Sequence, residues 1–509
     1  MQSVLPASLA APPWHLYLGR DYVGPPRTDA IGGAGAGFYT RQALDHFAFN
    51  GERSAELWSQ RYYEDTTLWG GPGHPVFLSL GGEGPVGGPP SGLQRELAAT
   101  HRAALISLEH RFYGESRPTA DMSSTALRHL SAEQALADAA QFVEWWSASH
   151  SSPDSAWVAW GGSYSGQLAA WLRLRYPASV RAAVAYSGPI LSQLDFYQYN
   201  QVVTTVLDSL GGAKCVPMLR AAFTQLVAAL GRSGKAPGRE VAARLLHACD
   251  VPESDDDDGV LIGSVQGLIQ SLVQYNRRGA PSHTVAAFCA AGLDAIAKRA
   301  ASPLEALGAA LAPLAVALPA HCLAARYASY LAPLRDSNFT TGTPTNRQWF
   351  YQLCNEFGQQ TCEPTATDCA TGEAGLPPSV FAPFSHDDDL SRGLRLCEQL
   401  FGIRATPPAL WTGKQRGWTN VAHGGRGIRA SNVVFINGRR DPYSSVSLLP
   451  EQLSVAQTRL GVRSVAVANG SHCVGMEATS ARDDPDVTAA KRAVREALAE
   501  WLGRPPLVS

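Results

Sequence analysis

Four short, predominantly apolar runs constrain this 509-residue chain more than any other feature. They are Pro75–Leu80 (PVFLSL), Ala103–Leu108 (AALISL), Trp157–Trp160 and Val180–Tyr186. A strand with one wet face alternates apolar and polar residues. A strand covered on both faces does not, so continuous runs predict a parallel sheet buried between layers. Helical patterns fill the intervals. Ser131 and Gln134 stand in capping-box spacing ahead of Ala135, Leu136, Ala139, Phe142 and Trp145, which predicts a helix over 131–150. A second helix, over 167–176, stops at Pro177. Strands alternating with helices in this way predict an α/β fold.

From Leu191 to about Thr406 the pattern changes to Ala- and Leu-rich helical stretches such as Met218–Leu230 and Val285–Ala300. Strands return at Val433–Ile436 and Val465–Val467, and Val487–Leu502 forms an amphipathic closing helix. The sheet is therefore expected to be built from both ends of the chain around a mainly helical insertion. The expected division is a Gly-, Pro- and Ala-rich lead-in over 1–37, an α/β part over 38–190, a helical domain over 191–404 and a second α/β part over 405–509.

Composition narrows the function. The net charge of −2, from 42 basic and 44 acidic residues, gives no polyanion-binding surface, so nucleic acid is not an expected partner. No stretch of about 18 apolar residues occurs, and no membrane span is expected. Met1–Pro13 lacks positive charge and is broken by three prolines, which makes it a poor signal peptide. The acidic run Asp255–Asp258 is expected to be a solvated loop. Eight of the nine cysteines lie between Cys215 and Cys397 without the close pairs of a zinc site. That clustering predicts disulfides and an oxidising compartment, with no metal and no cofactor. The sequon Asn338-Phe339-Thr340 agrees and marks Asn338 as a glycosylation site.

The chemistry centres on Trp160-Gly161-Gly162-Ser163-Tyr164-Ser165-Gly166, between an apolar strand and a helix. A nucleophile elbow needs a strained turn with small neighbours there, and a helix N-terminus offers amides to an oxyanion. Gly is usual where this chain has Ser165. The strand Val433–Ile436 leads to Asp441-Pro442, and the following strand leads to Asn469-Gly470-Ser471-His472. The order Ser163, Asp441, His472 is that of α/β-hydrolases. Ser163 is the expected nucleophile, His472 the base and Asp441 its orienting acid. The amides of Tyr164 and of Gly82, in the early turn Gly81-Gly82-Glu83-Gly84, are the expected oxyanion hole.

As a set these segments resemble the S28 serine peptidases, the family of prolyl carboxypeptidase, lysosomal dipeptidyl peptidase and thymus-specific serine protease. The resemblance rests on Gly161–Tyr164, Gln42–Phe47, Leu108–Ser116, Glu133–Asp138, Arg347–Gln352 with Cys354 and Glu356, Asn437–Pro442, and Ser471-His472-Cys473, and spans about 39–503. The forms Gly81–Gly84 and Ser471–Cys473 are closer to the thymus-specific branch. The resemblance implies an α/β-hydrolase fold with a helical, disulfide-stapled cap domain, and hydrolysis of peptides, as an exopeptidase acting near proline. It also implies a secreted or endosomal–lysosomal protein. Oligomeric state is left open, a homodimer included. Glu83, Trp349, Tyr351, Glu356, Trp411 and Trp418 become candidates for substrate binding. By analogy Cys215 pairs with Cys289, Cys249 with Cys322 and Cys354 with Cys397, leaving Cys362 and Cys369 to pair and Cys473 as a free thiol. Ser165, Tyr443 in place of Trp, and Val474-Gly475 in place of an Asp-containing sequence depart from the family pattern. An esterase with the same triad, or an inactive binding protein, are the competing readings.

Overall fold

The structure, a computed structural model, describes residues 34–48, 54–231, 238–276, 283–339, 346–360, 378–384, 386–403 and 417–503. Their chain forms two compact units. The first holds 34–193, 348–357 and 417–503; the second holds 194–347 and 358–403.

The first unit is an α/β-hydrolase sheet. Its strands are β1 (Ala34–Ala43), β2 (Leu57–Asp65), β3 (Val76–Leu80), β4 (Ala104–Leu108), β5 (Trp157–Gly162), β6 (Ala182–Tyr186), β9 (Val433–Gly438) and β10 (Arg463–Val467). They lie in the order β1-β2-β4-β3-β5-β6-β9-β10. β2 runs antiparallel to both β1 and β4, and the remaining pairs are parallel. Every residue of β4, β5, β6 and β9 is buried, which is why these strands read as continuous apolar runs. On one face, Phe77, Trp160, Val184 and Ile436 pack with Val494, Leu498 and Trp501 of the helix Pro485–Trp501.

β1 starts at Ala34, inside the expected lead-in. Of its two glycines, Gly37 is there for packing, while a side chain on Gly35 would meet open space. A Cβ on Gly37 would lie 2.5 Å from the Tyr62 ring of β2. The helix Ala132–Ser149 has the expected N-cap, with Ser131 Oγ accepting from Gln134 N–H at 3.2 Å. Gln134 does not return the bond. Its side chain accepts from His46 N–H at 2.9 Å and donates to Asp45 at 2.6 Å, so tertiary partners replace half of the box.

The second unit is helical. Its longer helices include Tyr197–Gly211, Cys215–Leu230, Asp255–Gln274, Val285–Arg299, Pro303–Val316 and His386–Phe401. Where the chain enters this unit, β7 (Gln193–Asp195) pairs with β8 (Gly358–Gln360). Disulfides Cys215–Cys289 and Cys249–Cys322 staple the unit. Cys354 and Cys397 are both oxidised, while Cys362 and Cys369 lie outside the described residues. The run Asp255–Asp258 is not a loop but the first turn of a helix. Ser254 caps it, Asp258 pairs with Arg239 at 2.5 Å, and the acidic charge favours the helix N-terminus. Among the described residues, no helix is long and apolar enough to cross a membrane.

Candidate active site

At the end of β5 the chain turns sharply. Ser163 adopts φ 57° and ψ −130°, a conformation that costs a non-glycine residue about 1–3 kcal/mol. Bonds on both sides hold it. Ser163 N–H donates to the Tyr186 carbonyl at the end of β6 (2.8 Å), and Gln167 N–H donates to the Ser163 carbonyl (3.0 Å). The flanking glycines are required by close approach. A Cβ on Gly161 would lie 2.1 Å from Ser165 O, and one on Gly166 would lie 2.7 Å from Tyr186 O. Ser165 fits the turn by using its hydroxyl. The Oγ donates to the Gly162 carbonyl (2.8 Å) and accepts from the Gly162 N–H (3.0 Å), closing a small ring around Ser163.

The loops after β9 and β10 are zipped together. Arg439 N–H bonds Val467 O and Arg440 N–H bonds Gly470 O, both at 2.9 Å. Gly438 is pressed so closely that a Cβ there would lie 2.3 Å from Gly470 O. Asp441 emerges from this zipper fully buried. One carboxylate oxygen accepts from Tyr443 N–H (2.9 Å); the other lies 2.8 Å from His472 Nδ1. A carboxylate only accepts, so Nδ1 carries the hydrogen and Nε2 is the basic nitrogen. Burial disfavours the His472 cation, but the Asp441 carboxylate and the Cys473 side chain outweigh it and hold its pKa well above the ordinary imidazole value.

The His472 loop and the Ser163 turn are anchored on neighbouring residues. Cys473 N–H donates to Ser187 Oγ at 2.9 Å, next to the Tyr186 carbonyl that holds Ser163. Three loops from three strand ends therefore converge at the C-terminal edge of the sheet. The Gly81–Gly84 turn joins them, because a Cβ on Gly82 would lie 3.7 Å from Ser165 Cβ. Glu83, beside it, is half-buried; burial pushes its carboxyl up, against the pull of its own backbone amide and of His472.

A profile described as Serine carboxypeptidase S28 matches residues 42–494. The chain belongs to the S28 family. Human thymus-specific serine protease is 34% identical over 478 residues, covering 91% of this chain and 86% of its own. The mouse protein of the same name is 33% identical over 473 residues, covering 91% and 87%. Human lysosomal Pro-X carboxypeptidase is 26% identical over 475 residues, covering 91% and 88%.

Several S28 segments meet in one buried network behind the site. Arg111 Nε and Nη2 donate to the two Asp138 oxygens at 2.7 and 2.6 Å, and His46 Nε2 lies 2.7 Å from Asp138 Oδ1. Arg111 also donates to the carbonyls of Leu44 (3.0 Å) and His129 (2.8 Å). The segments Gln42–Phe47, Leu108–Ser116 and Glu133–Asp138 thus tie β1, the loop after β4 and the helix Ala132–Ser149 together.

The substrate-binding candidates divide. Trp349 is buried, its ring 5.5 Å from that of Tyr164 and 5.8 Å from that of Phe357, and Tyr351 is buried too. Both belong to the core of the first unit rather than to an open surface. Segment 348–357, expected in the cap, packs in the first unit through Gln348, Gln352 and Glu356. Glu356 accepts the N–H of Ala132, at the helix N-terminus, with both oxygens (2.9 and 3.2 Å). Burial raises its pKa to about 8 against that bond and one from Gln352. It serves there as a helix cap. Trp411 and the Trp418 side chain lie outside the described residues. Residues the sequence did not single out include Ser187, His110, Tyr113 and Gln352. Their one signal was membership, for His110, Tyr113 and Gln352, of segments that carry the family resemblance.

Proposed function

We propose that the protein is a serine peptidase in which Ser163, His472 and Asp441 form the triad. Membership of the S28 family supports serine peptidase activity. The observation that carries the site assignment is the 2.8 Å Asp441–His472 bond, on a loop anchored beside the strained Ser163 turn. Ser163 Oγ attacks the scissile carbonyl carbon and His472 Nε2 takes its proton, while Asp441 stabilises the imidazolium. The amides of Tyr164 and Gly82 receive the oxyanion. The tetrahedral intermediate collapses as His472 protonates the leaving amine, giving an acyl-enzyme at Ser163. Water, deprotonated by the same base, then releases the acid.

The proposed substrate is a peptide cleaved near one end and near proline. The name of the lysosomal Pro-X carboxypeptidase relatives supports this, as it supports a secreted or endolysosomal location, and the disulfides agree with such a compartment. Asn338, which is exposed, is the proposed glycan acceptor. A fluorophosphonate probe on wild type and Ser163→Ala, followed by a peptide-library digest, tests the reading. Labelling of wild type alone, with cleavage of peptides, is expected. Absence of labelling on folded protein overturns it, and turnover of esters alone overturns the peptidase.

A further inference from the structure

The proposed reaction uses the Tyr164 amide and leaves its side chain idle, yet that side chain is held from two directions. His110 Nε2 lies 2.9 Å from the hydroxyl, and Gln352 Nε2 lies 2.8 Å from it. The direction of each bond follows from the partners. His110 Nδ1 stands 2.7 Å from the Arg111 carbonyl, which can only accept, so Nδ1 carries a hydrogen. Burial pushes the His110 pKa down to about 4, so the ring is neutral at neutral pH and Nε2 is an acceptor. Tyr164 therefore donates to His110, and its oxygen receives the Gln352 N–H. Gln352 Oε1 in turn accepts from the Tyr113 hydroxyl at 2.7 Å. All four side chains are buried, and burial raises the pKa of both tyrosines, so neither ionises.

We propose that this one-way chain, Tyr113 to Gln352 to Tyr164 to His110, is a positioning device for the oxyanion-binding amide of Tyr164. The inference rests on the assignment of that amide above. Tyr164 opens its helix, so its N–H has no intrahelical acceptor and its direction depends on how the residue is seated. Trp349 and Phe357 pack the ring at 5.5 and 5.3 Å, which limits its tilt. Apolar packing does not fix how deep the ring sits. Two hydrogen bonds to the hydroxyl do, because leaving either partner unsatisfied in this buried place is costly. A donor must sit within about 0.5 Å of its working position to serve an oxyanion.

Tyr164→Phe removes the hydroxyl and keeps the ring and the amide. It is measured beside His110→Leu, Gln352→Leu, the Tyr164→Phe/His110→Leu double variant and His110→Gln. The readouts are kcat and KM on a peptide taken from the library digest, the rate of fluorophosphonate labelling, and the melting temperature. The expected result is a loss of about 10- to 100-fold in kcat and labelling rate with KM nearly unchanged. The double variant should lose no more than either single one. His110→Gln, which offers an acceptor again, should recover most of the rate. Wild-type kcat and labelling rate in Tyr164→Phe, or losses that multiply in the double variant, overturn the inference. So does a lowered melting temperature with no change in labelling rate. If wild type is not labelled, or Ser163→Ala still is, the serine reading itself fails.

Discussion

The amide of Cys473 donates to the hydroxyl of Ser187 at 2.9 Å, and this bond ties the His472 loop to the end of β6. The next residue back along β6, Tyr186, holds the Ser163 amide. One strand end thus sets the spacing of both proposed partners. Ser187→Ala leaves the Cys473 amide buried without this acceptor, a loss of about 1–3 kcal/mol. The expected outcome is a fall in kcat larger than the fall in thermal stability explains. Paired kinetics and melting curves check it.

Asp441→Asn tests the role of the carboxylate. The amide can face His472 with its NH2, which favours the tautomer whose Nε2 no longer accepts a proton, and kcat should fall by about 10⁴-fold. The pH profile carries a second signature. His472 must be neutral to act as a base, so wild-type activity is lost as pH falls through its raised pKa. Loss of the Asp441 charge lowers that pKa, so the residual activity should extend to lower pH. An unshifted acid limb counts against His472 as the base.

Two buried groups tilt stability with pH in opposite senses. Glu356 holds its proton up to about pH 8 in the fold, whereas 4.5 is its ordinary value. Between those values the folded state carries the extra proton, so this group's contribution falls as pH rises. Glu356→Gln should remove that fall and gain on wild type at pH 8 but not at pH 4, by at most about 1.4 kcal/mol per pH unit of the window.

His423 is buried and stacked on Trp171 at 4.0 Å, and burial pushes its pKa from 6.5 to about 4. Its contribution is present above pH 6.5 and is lost as pH falls toward 4. His423→Phe should therefore be favoured over wild type at pH 4.5 more than at pH 7. Denaturant titrations of both variants at three pH values decide these outcomes.

Gly211 closes the helix Tyr197–Gly211 against a disulfide. A Cβ there would lie 2.2 Å from Cys289 Sγ and 2.9 Å from Cys215 Cβ. Gly211→Ala should lower the melting temperature of the oxidised protein and have much less effect on a Cys215→Ala/Cys289→Ala background. That background should itself lose about 4 kcal/mol, because the bridge closes a separation of 74 residues.

What the sequence made legible follows burial. β4, β5, β6 and β9 are covered on both faces and announce themselves as apolar runs. β1 was hidden because it is an edge strand with glycines and an exposed Phe38, so neither alternation nor a continuous run appears. The turns that carry Ser163, Asp441 and His472 were visible because each follows a strand and its glycines or proline have a local reason. The chain behind Tyr164 had no such trace. Tyr113 and Gln352 stand 239 residues apart, and a hydrogen bond at that range leaves no periodicity. Ser165 was legible only as a departure, and its two bonds to Gly162 make it a clasp on the turn.

The placement of β6 beside β9, with Ala183 opposite Val433, has a consequence for biosynthesis. All of the helical second unit is translated between those partners. A nascent chain that has emerged through β6 already carries Ser163 and has neither Asp441 nor His472. With the triad as proposed, hydrolytic competence is therefore one of the last properties the chain acquires, after the second unit has been made and the far side of the sheet has closed. On the proposed assignment, a truncated translation product that ends within the second unit has the nucleophile and lacks both the base and its orienting acid.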